Sequence, residues 1–357
     1  MNNLKKLQAL CGGDFDALLL TGEANRFYAT GVKTSAGVVF ITDSRAAFLT
    51  DFRYGEAARK QQGGFDVIIA TRESGNSYEE NVKKLAQNVR RVGFEEDALT
   101  VSAYEKWRAA LGPGAEWIPA QKTLYRGRAV KAAWELERMK KAQRIAERAY
   151  GAVLEIMRPG MTERDLAAEL TFQMLKNGAS GTSFDPIVIS GPNSSLPHGE
   201  PSGRALQNGD FVIMDIGCVA DGYCSDMTRT VAVGGADAEM RKVYDTVLEA
   251  QRAGIDAARS GIRGVDIHNA AARVIDGAGY GAYFGHGFGH GIGIEVHEGY
   301  GAHPKEERLL PPGAVITAEP GIYLPGRFGV RIEDCIVLNK DGAENLTLAG
   351  KSLRIIE

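Results

Sequence analysis

Phe211–Gly217 reads FVIMDIG and Ser225–Val233 reads SDMTRTVAV, with Asp221-Gly222 between them. Both runs have the composition of strands, and Asp-Gly between two such runs is a strong hairpin signal. The first run carries Asp215 and the second Asp226. A hairpin centred near Ala220-Asp221 sets these aspartates opposite each other, and directly opposed residues have Cβ atoms ~4.5–5.5 Å apart. Two bare carboxylates that close repel, so either one is protonated or a cation lies between them. An aspartate in the middle of so apolar a run favours the cation.

The arrangement returns with glutamates. Val315–Tyr323 (VITAEPGIY) carries Glu319, Gly329–Leu338 (GVRIEDCIVL) carries Glu333, and Pro325-Gly326 turns between them. Singly, each of these acids reads better as part of a solvated strand face or a salt bridge. Jointly they gain weight because the flanking sequence repeats too. Gly160, Asp165, Leu166 and Gly178 have counterparts 101 residues later in Gly261, Asp266, Ile267 and Gly279. Each half reads helix, glycine turn, helix, strands. Lys131–Met157 is a long charged helical run stopped by Pro159-Gly160. Thr162-x-x-Asp165 starts a second helix that runs to about Asn177-Gly178. Helices return at about 238–258 and 264–277.

Of six histidines, four lie within His286–His303. GHGFGHGIGIEVHEG sets His286, His290 and His297 among glycines, which let backbone approach a site closely. Neutral imidazole is a common ligand of first-row divalent ions. His198 stands alone in SGPNSSLPHGEP, where its plain reading is a surface histidine; His268 falls in a helical run and His303 in a rim loop. Four carboxylates and one histidine are enough for two cations, and so oxygen-rich a set suits Mn²⁺, Co²⁺ or Zn²⁺. Two such ions ~3.5–4 Å apart acidify a bridging water and polarise a carbonyl. The implied chemistry is metal-assisted hydrolysis of an amide or ester.

Residues 1 to about 125 follow another pattern. Ala17–Leu20, Val38–Ile41, Ala46–Leu49 and Val67–Ile69 read as strands, Asp51–Gln61 and Ser77–Arg90 as helices. This is a small α/β unit with no phosphate loop, metal cluster or nucleophile motif, which suggests a structural or dimerising role. The whole chain has 357 residues, 44% hydrophobic and 24% charged. That excludes a disordered tail protein, a collagen and a disulfide-held mini-protein. Forty-two basic against 45 acidic residues give a net charge of −3, with no basic excess to suggest nucleic acid. Glycine is the outlier, 44 residues or about 12%, against a usual ~7%. Four cysteines without a C-x-x-C read as reduced thiols in a cytoplasm. The first apolar run is broken by Gly12, Gly13, Asp14 and Asp16, against a signal peptide. No apolar stretch is long enough for a membrane span.

The order Asp215, Asp226, His290, Glu319, Glu333 resembles the metal signature of the methionine aminopeptidase, prolidase and creatinase superfamily. The likeness includes DIGCVADGYCSDMTRT, GHGIGIEVHE, TAEPGIY, VRIEDCIV and SLPHGEP, and it covers the whole chain. It implies an α/β N-terminal domain over residues 1–125, then an α+β duplicated "pita-bread" catalytic domain over 126–357. The latter is a curved antiparallel sheet backed by helices, with metals on its concave face. Methionine aminopeptidases generally lack the first domain, so its presence points to the proline-specific branch. Carried over, Asp215 binds one metal, Asp226 and Glu333 bridge two, and His290 and Glu319 complete the second site. The resemblance implies Mn²⁺ first, with Co²⁺ or Zn²⁺ as alternatives. Glu319 would also serve as acid/base beside the nucleophilic water bridging the metals. His198 and His297 would contact the substrate and help protonate a prolyl nitrogen, otherwise a poor leaving group. Arg331 would orient Glu333 or bind a substrate carboxylate, and Tyr223 would line the site. Cys224 shares strand parity with Asp226, though a small buried hydrophobe is its plainer reading. His286 matches a family histidine but is given no ligand role, and Trp107, Trp117 and Trp134 read as packing residues.

The implied substrates are peptides with proline in second position, the implied assembly a homodimer whose N-terminal domain caps the other subunit's site. Prolidase-like relatives commonly carry an arginine shortly after the His-Glu pair placed here at His297-Glu298; none occurs before Arg308. A strict dipeptidase must grip its substrate's free carboxylate, a task that suits arginine. The expectation therefore leans to an Xaa-Pro aminopeptidase over an Xaa-Pro dipeptidase, with Arg331 or Arg308 as possible substitutes. A metal-free creatinase-type amidinohydrolase and a non-catalytic binding module are the remaining alternatives. Both usually lose ligands, and four clustered acids without a cation are electrostatically costly.

Overall fold

Asp221 and Gly222 form the two-residue turn of a hairpin, but its centre lies between them. Val219 pairs with Cys224 and Ala220 with Tyr223. Both turn residues take positive φ, 49° and 82°, as the mirror-image turns of tight hairpins require. The same register continues into Phe211–Ile216 and Met227–Val233, where Asp215 pairs with Thr228. Asp226 accordingly stands across from Gly217. The two aspartates are diagonal neighbours on one face, not directly opposed as expected. Moving the turn by one residue moves the partner of Asp215 by two, so face is kept and opposition lost. The structure is a computed structural model that describes residues 3–61, 63–71, 73 and 75–357.

The glutamate hairpin keeps its expected register. Val315–Ala318 pairs with Asp334–Asn339, and Gly321–Leu324 with Phe328–Arg331. One register runs through both ladders and sets Glu319 across from Glu333. The strands are not continuous, however: they break at Glu319-Pro320 and at Ile332-Glu333. Pro320 has no N–H to give a ladder.

Each half has its own core, and period-2 alternation separates core from site. Val212, Met214, Met227 and Val231 pack with Ala146, Tyr150, Leu166 and Leu170 of the helices Ala133–Ile156 and Glu163–Lys176. Ile316, Ala318, Val330 and Ile332 pack with Val243, Val247, Ile267 and Ala271 of the helices Ala238–Ala257 and Gly264–Gly277. Asp215, Asp226, Glu319 and Glu333 fall on the alternate face. The repeat is physical: Gly160, Gly178, Gly261 and Gly279 have φ of 89°, 100°, 80° and 87°, left-handed positions that suit glycine. Thr162 caps its helix, with Asp165 returning the bond to the Thr162 N–H. Thr228 and Thr230 join the halves, through Glu333 N–H to Thr228 O at 3.1 Å and Thr230 Oγ to Arg331 O at 2.8 Å.

The chain divides between Arg128 and Ala129. The first unit is a six-stranded mixed sheet, ordered Asp66–Ile69, Ala46–Thr50, Val38–Thr42, Ala17–Leu20, Arg91–Phe94, Glu116–Pro119. The helix expected over Ser77–Arg90 starts at its Ser77 cap but ends at Leu85. Beyond it, Asp16 accepts the Arg90 and Arg91 N–H groups and recruits Arg91–Phe94 into the sheet.

Candidate metal centre

The four acids and His290 converge on a cavity of about 510 Å³ in the second unit. Ligand atoms of Asp226, His290 and Glu333 all lie within 4.8 Å of one another. His290 Nε2 is 3.5 Å from Asp226 Oδ2 and 3.3 Å from Glu319 Oε1, which ties the glutamate hairpin to the aspartate one. His290 is aimed by its own backbone N–H, which donates to Thr317 Oγ at 2.9 Å. Thr317 Oγ donates in turn to Glu319 Oε1 at 2.8 Å, and Thr228 Oγ to Glu333 Oε2 at 2.6 Å. Asp215 Oδ2 accepts from Arg331 Nη2 at 2.7 Å.

The residues fit a cationic group. Asp215 Oδ1 and Asp226 Oδ1 are buried without a hydrogen-bond partner, a costly state for a carboxylate oxygen. Burial, then Glu333, Asp215 and Glu319, raise the Asp226 carboxyl well above the carboxylate range. Burial, then Glu319 and Asp215, do the same to Glu333. Burial raises Glu319 and lowers His290, which keeps its imidazole neutral and able to ligate. Oxygen-rich donors with one imidazole match hard and borderline divalent ions.

Arg331 differs from expectation. It bonds Asp215, not Glu333, and reaches Glu333 only through Thr228, whose Oγ its Nε approaches at 3.1 Å. Its Nη1 donates to Tyr323 OH at 2.8 Å. Burial would lower its basicity, but Tyr323, Asp215 and Glu319 hold it well above the ordinary arginine value. Tyr323 OH also lies 3.1 Å from His286 Nε2, while His286 Nδ1 meets Gly287 O at 2.8 Å. With Nδ1 protonated toward that carbonyl, His286 Nε2 accepts from the tyrosine. Thr228, Thr317 and Tyr323 were not singled out in the sequence. Their signal is parity, since each shares a strand face with one of the clustered acids.

His198, His297 and His303 line the same cavity. The His297 ring packs edge-on against His290, with centroids 4.0 Å apart. Next to it, Glu298 turns inward: its Oε1 accepts from Lys131 Nζ at 3.0 Å and its Oε2 from the N–H groups of Ile294 and Glu295. Both side chains of this ion pair are almost wholly buried. Tyr223 does not line the cavity: its hydroxyl donates to Glu135 Oε1 at 2.8 Å and its ring meets Trp134. Cys224 points away as well, toward Ile294 O at 3.3 Å. Arg308 pairs with Glu306 and lies over the Tyr300 ring rather than lining the cavity. His268 is buried in its helix and stacks on Phe284.

Residues 137–340 match the metallopeptidase family M24, and residues 4–130 match the creatinase/prolidase N-terminal domain. The chain is 40% identical to the uncharacterized peptidase YqhT of Bacillus subtilis, across 99% of both chains. A structure described as an Xaa-Pro dipeptidase from Bacillus anthracis superposes with a TM-score of 0.93 at 40% identity, covering 99% of each chain. One described as an X-Pro aminopeptidase from Thermotoga maritima gives 0.91 at 35% identity, covering 98% of this chain and all of that one. With the duplicated hairpins and their ligand face already in view, the chain belongs to metallopeptidase family M24, in the two-domain branch that joins a creatinase/prolidase N-terminal domain to a pita-bread catalytic domain.

Proposed function

We propose that this protein is a dinuclear metallopeptidase that hydrolyses the Xaa-Pro bond at a free N-terminus, acting on Xaa-Pro dipeptides. The observation that carries the reading is the complete cluster of four acids and His290, two of its oxygens unpartnered, on one wall of a peptide-sized cavity. Asp215, Asp226, His290, Glu319 and Glu333 would hold two divalent ions, Mn²⁺ first and Co²⁺ or Zn²⁺ as alternatives. Such ions, when bound, supply an acidified water and polarise the scissile carbonyl. Glu319, steadied by Thr317, is the acid/base. His297 and His198 face the substrate, and His297 donates toward the reacting carbonyl or the departing prolyl nitrogen. Arg331 positions Asp215.

Dipeptides come first because the Bacillus anthracis structure, 40% identical over 99% of the chain, is described as an Xaa-Pro dipeptidase. This reverses the order drawn from the missing arginine. His198, His297 and His303 line the cavity, and an imidazole can receive a carboxylate without a guanidinium. The second reading, an Xaa-Pro aminopeptidase of longer peptides, retains one observation in its favour. Among the described lining residues the only guanidinium is Arg331, already bound to Asp215, Thr228 and Tyr323. Metal-stripped protein reloaded with Mn²⁺, Co²⁺ or Zn²⁺ should cleave Ala-Pro and spare Ala-Pro-Ala and Ala-Ala. Cleavage of the tripeptide as well would establish the aminopeptidase reading. No cleavage in protein that binds no metal would favour a creatinase-type enzyme or a binding module.

The proposal includes a cytoplasmic homodimer. Cys11, Cys218, Cys224 and Cys335 are all free and buried, as suits a reducing compartment. No helix among the described residues is long and apolar enough to cross a membrane. The one grouping among the described residues that could hold a metal ion lies in the second unit, which leaves the first for assembly. Sedimentation equilibrium tests the dimer.

A further inference from the structure

Among the described residues lining the cavity, Asp185 is the one carboxylate outside the ligand cluster. It is exposed and makes no hydrogen bond or ion pair with the described residues. Strand register explains how it comes to face the cavity. Thr182 pairs with Cys218, and Ile187 with Asp215. The four residues Ser183–Pro186 therefore stand against only two, Ile216 and Gly217. Such a surplus is a bulge, a device that re-aims side chains beside a site. Its base is anchored: Ser183 N–H donates to Gly217 O at 3.0 Å and Ser183 Oγ to Ser225 O at 2.9 Å. Gly217 makes room for it, since a Cβ there would meet the Phe184 ring at 2.9 Å. Pro186 holds Asp185 to extended backbone. Phe184 and Ile187 flank it on the cavity wall.

The charges around it are otherwise accounted for. Two divalent ions would balance the four clustered acids, and Arg331 is committed to Asp215 and Tyr323. His198, His297 and His303 are the remaining wall side chains that carry a positive form once His290 is set aside as a candidate ligand and His286 as the partner of Tyr323. Asp185 is left as an uncompensated negative charge. In an Xaa-Pro substrate the proline and the terminal groups are common to every member, and only the Xaa side chain varies. By charge alone, Asp185 would repel the C-terminal carboxylate and the histidines would attract it, an orientation that would leave Xaa nearest the bulge.

We propose that Asp185, carried into the cavity by the Ser183–Pro186 bulge, is a specificity-determining residue that favours Lys or Arg before the proline and disfavours Asp and Glu. Phe184 and Ile187 supply the apolar wall along which a long basic side chain lays its methylenes. The inference rests on the Xaa-Pro reading above. The test compares kcat/KM of the full-length Mn²⁺-loaded enzyme on Lys-Pro, norleucyl-Pro, Ala-Pro and Glu-Pro. Lys-Pro should exceed Glu-Pro by about tenfold, a ratio typical of one charge pair at a partly solvated site and one that shrinks as salt rises. Asp185→Asn should reduce that ratio to about twofold or less, and Asp185→Lys should invert it. Equal rates on Lys-Pro and norleucyl-Pro, or a ratio untouched in Asp185→Asn, would overturn the inference while Ala-Pro cleavage left the Xaa-Pro reading standing. Failure of every dipeptide, Ala-Pro included, would instead overturn that reading and this inference together.

Discussion

The two hairpins of the catalytic unit carry the same number of acids on the same face and support them differently. In the glutamate hairpin, Glu319 and Glu333 are opposed across one register, and each accepts a threonine hydroxyl, from Thr317 and Thr228. In the aspartate hairpin, the acids are diagonal, and each has one buried oxygen with no partner. The duplication thus preserves strand parity, which decides the face, but not register or hydrogen-bond support. The longer acids are held by the protein itself. Among the described residues, each of the shorter ones keeps one oxygen without a protein partner, and Arg331 alone donates to Asp215.

That contrast can be broken or sharpened by mutation. The largest effect should come from the aspartates: on the proposed reading Asp226→Asn should lower kcat/KM by on the order of 10³-fold, since Asp226 would both hold and balance the ions. Bound metal, read by elemental analysis of the purified variant, should fall with it. The same substitution should raise the melting temperature of metal-stripped protein, because it removes one of several crowded, unpaired carboxylates. Glu333→Gln should raise it less, since Thr228 already serves that carboxyl; a larger rise for Glu333→Gln would reverse the comparison. Adding Mn²⁺ at a hundredfold excess over its Kd should stabilise the wild type by ~2.7 kcal/mol for each ion bound, read by calorimetry.

Smaller effects test the supports. Thr228→Val and Thr317→Val should each cost about 10- to 100-fold in activity or metal affinity, as is usual for groups that orient ligands. Breaking the Lys131–Glu298 pair by Glu298→Gln should destabilise the fold by ~3–5 kcal/mol, and it should lower kcat more than it changes KM if the pair fixes His297. Tyr323→Phe should have the smallest effect, since it leaves the Arg331–Asp215 bond intact and removes only the hydroxyl between Arg331 and His286. A loss of ~1.5 kcal/mol in transition-state stabilisation is the lower end for a hydrogen bond to a charged group, here the Arg331 guanidinium. A loss as great as that of Asp226→Asn would make Tyr323 part of the metal centre itself.

Much of this site could be read before any coordinates. Hairpin signals brought Asp215 together with Asp226 and Glu319 with Glu333, and glycine spacing revealed the repeat. Thr162 and Ser77 announced their helix starts because a side-chain oxygen at that position answers a local need, an unpaired N–H within three residues. What was misread depended on a single residue or on a distant partner. The hairpin centre moved by one residue because Asp221 as well as Gly222 adopts positive φ. Tyr223 was expected in the site by proximity to Asp226, but its face turns it to Glu135 on a helix far away in sequence.

The sequence by itself determined the two-part organisation, the duplication and the acids and histidine that gather at one site, because each follows from local periodicity and spacing. Only the tertiary structure decided which oxygen meets which hydrogen. Arg331 chose Asp215 over Glu333, Glu298 turned from the cavity to Lys131, and a bulge two residues too long for its partner strand carried Asp185 inward. These outcomes rest on contacts between segments far apart in the chain, where burial makes every unpaired polar group expensive and close packing leaves few ways to satisfy them all.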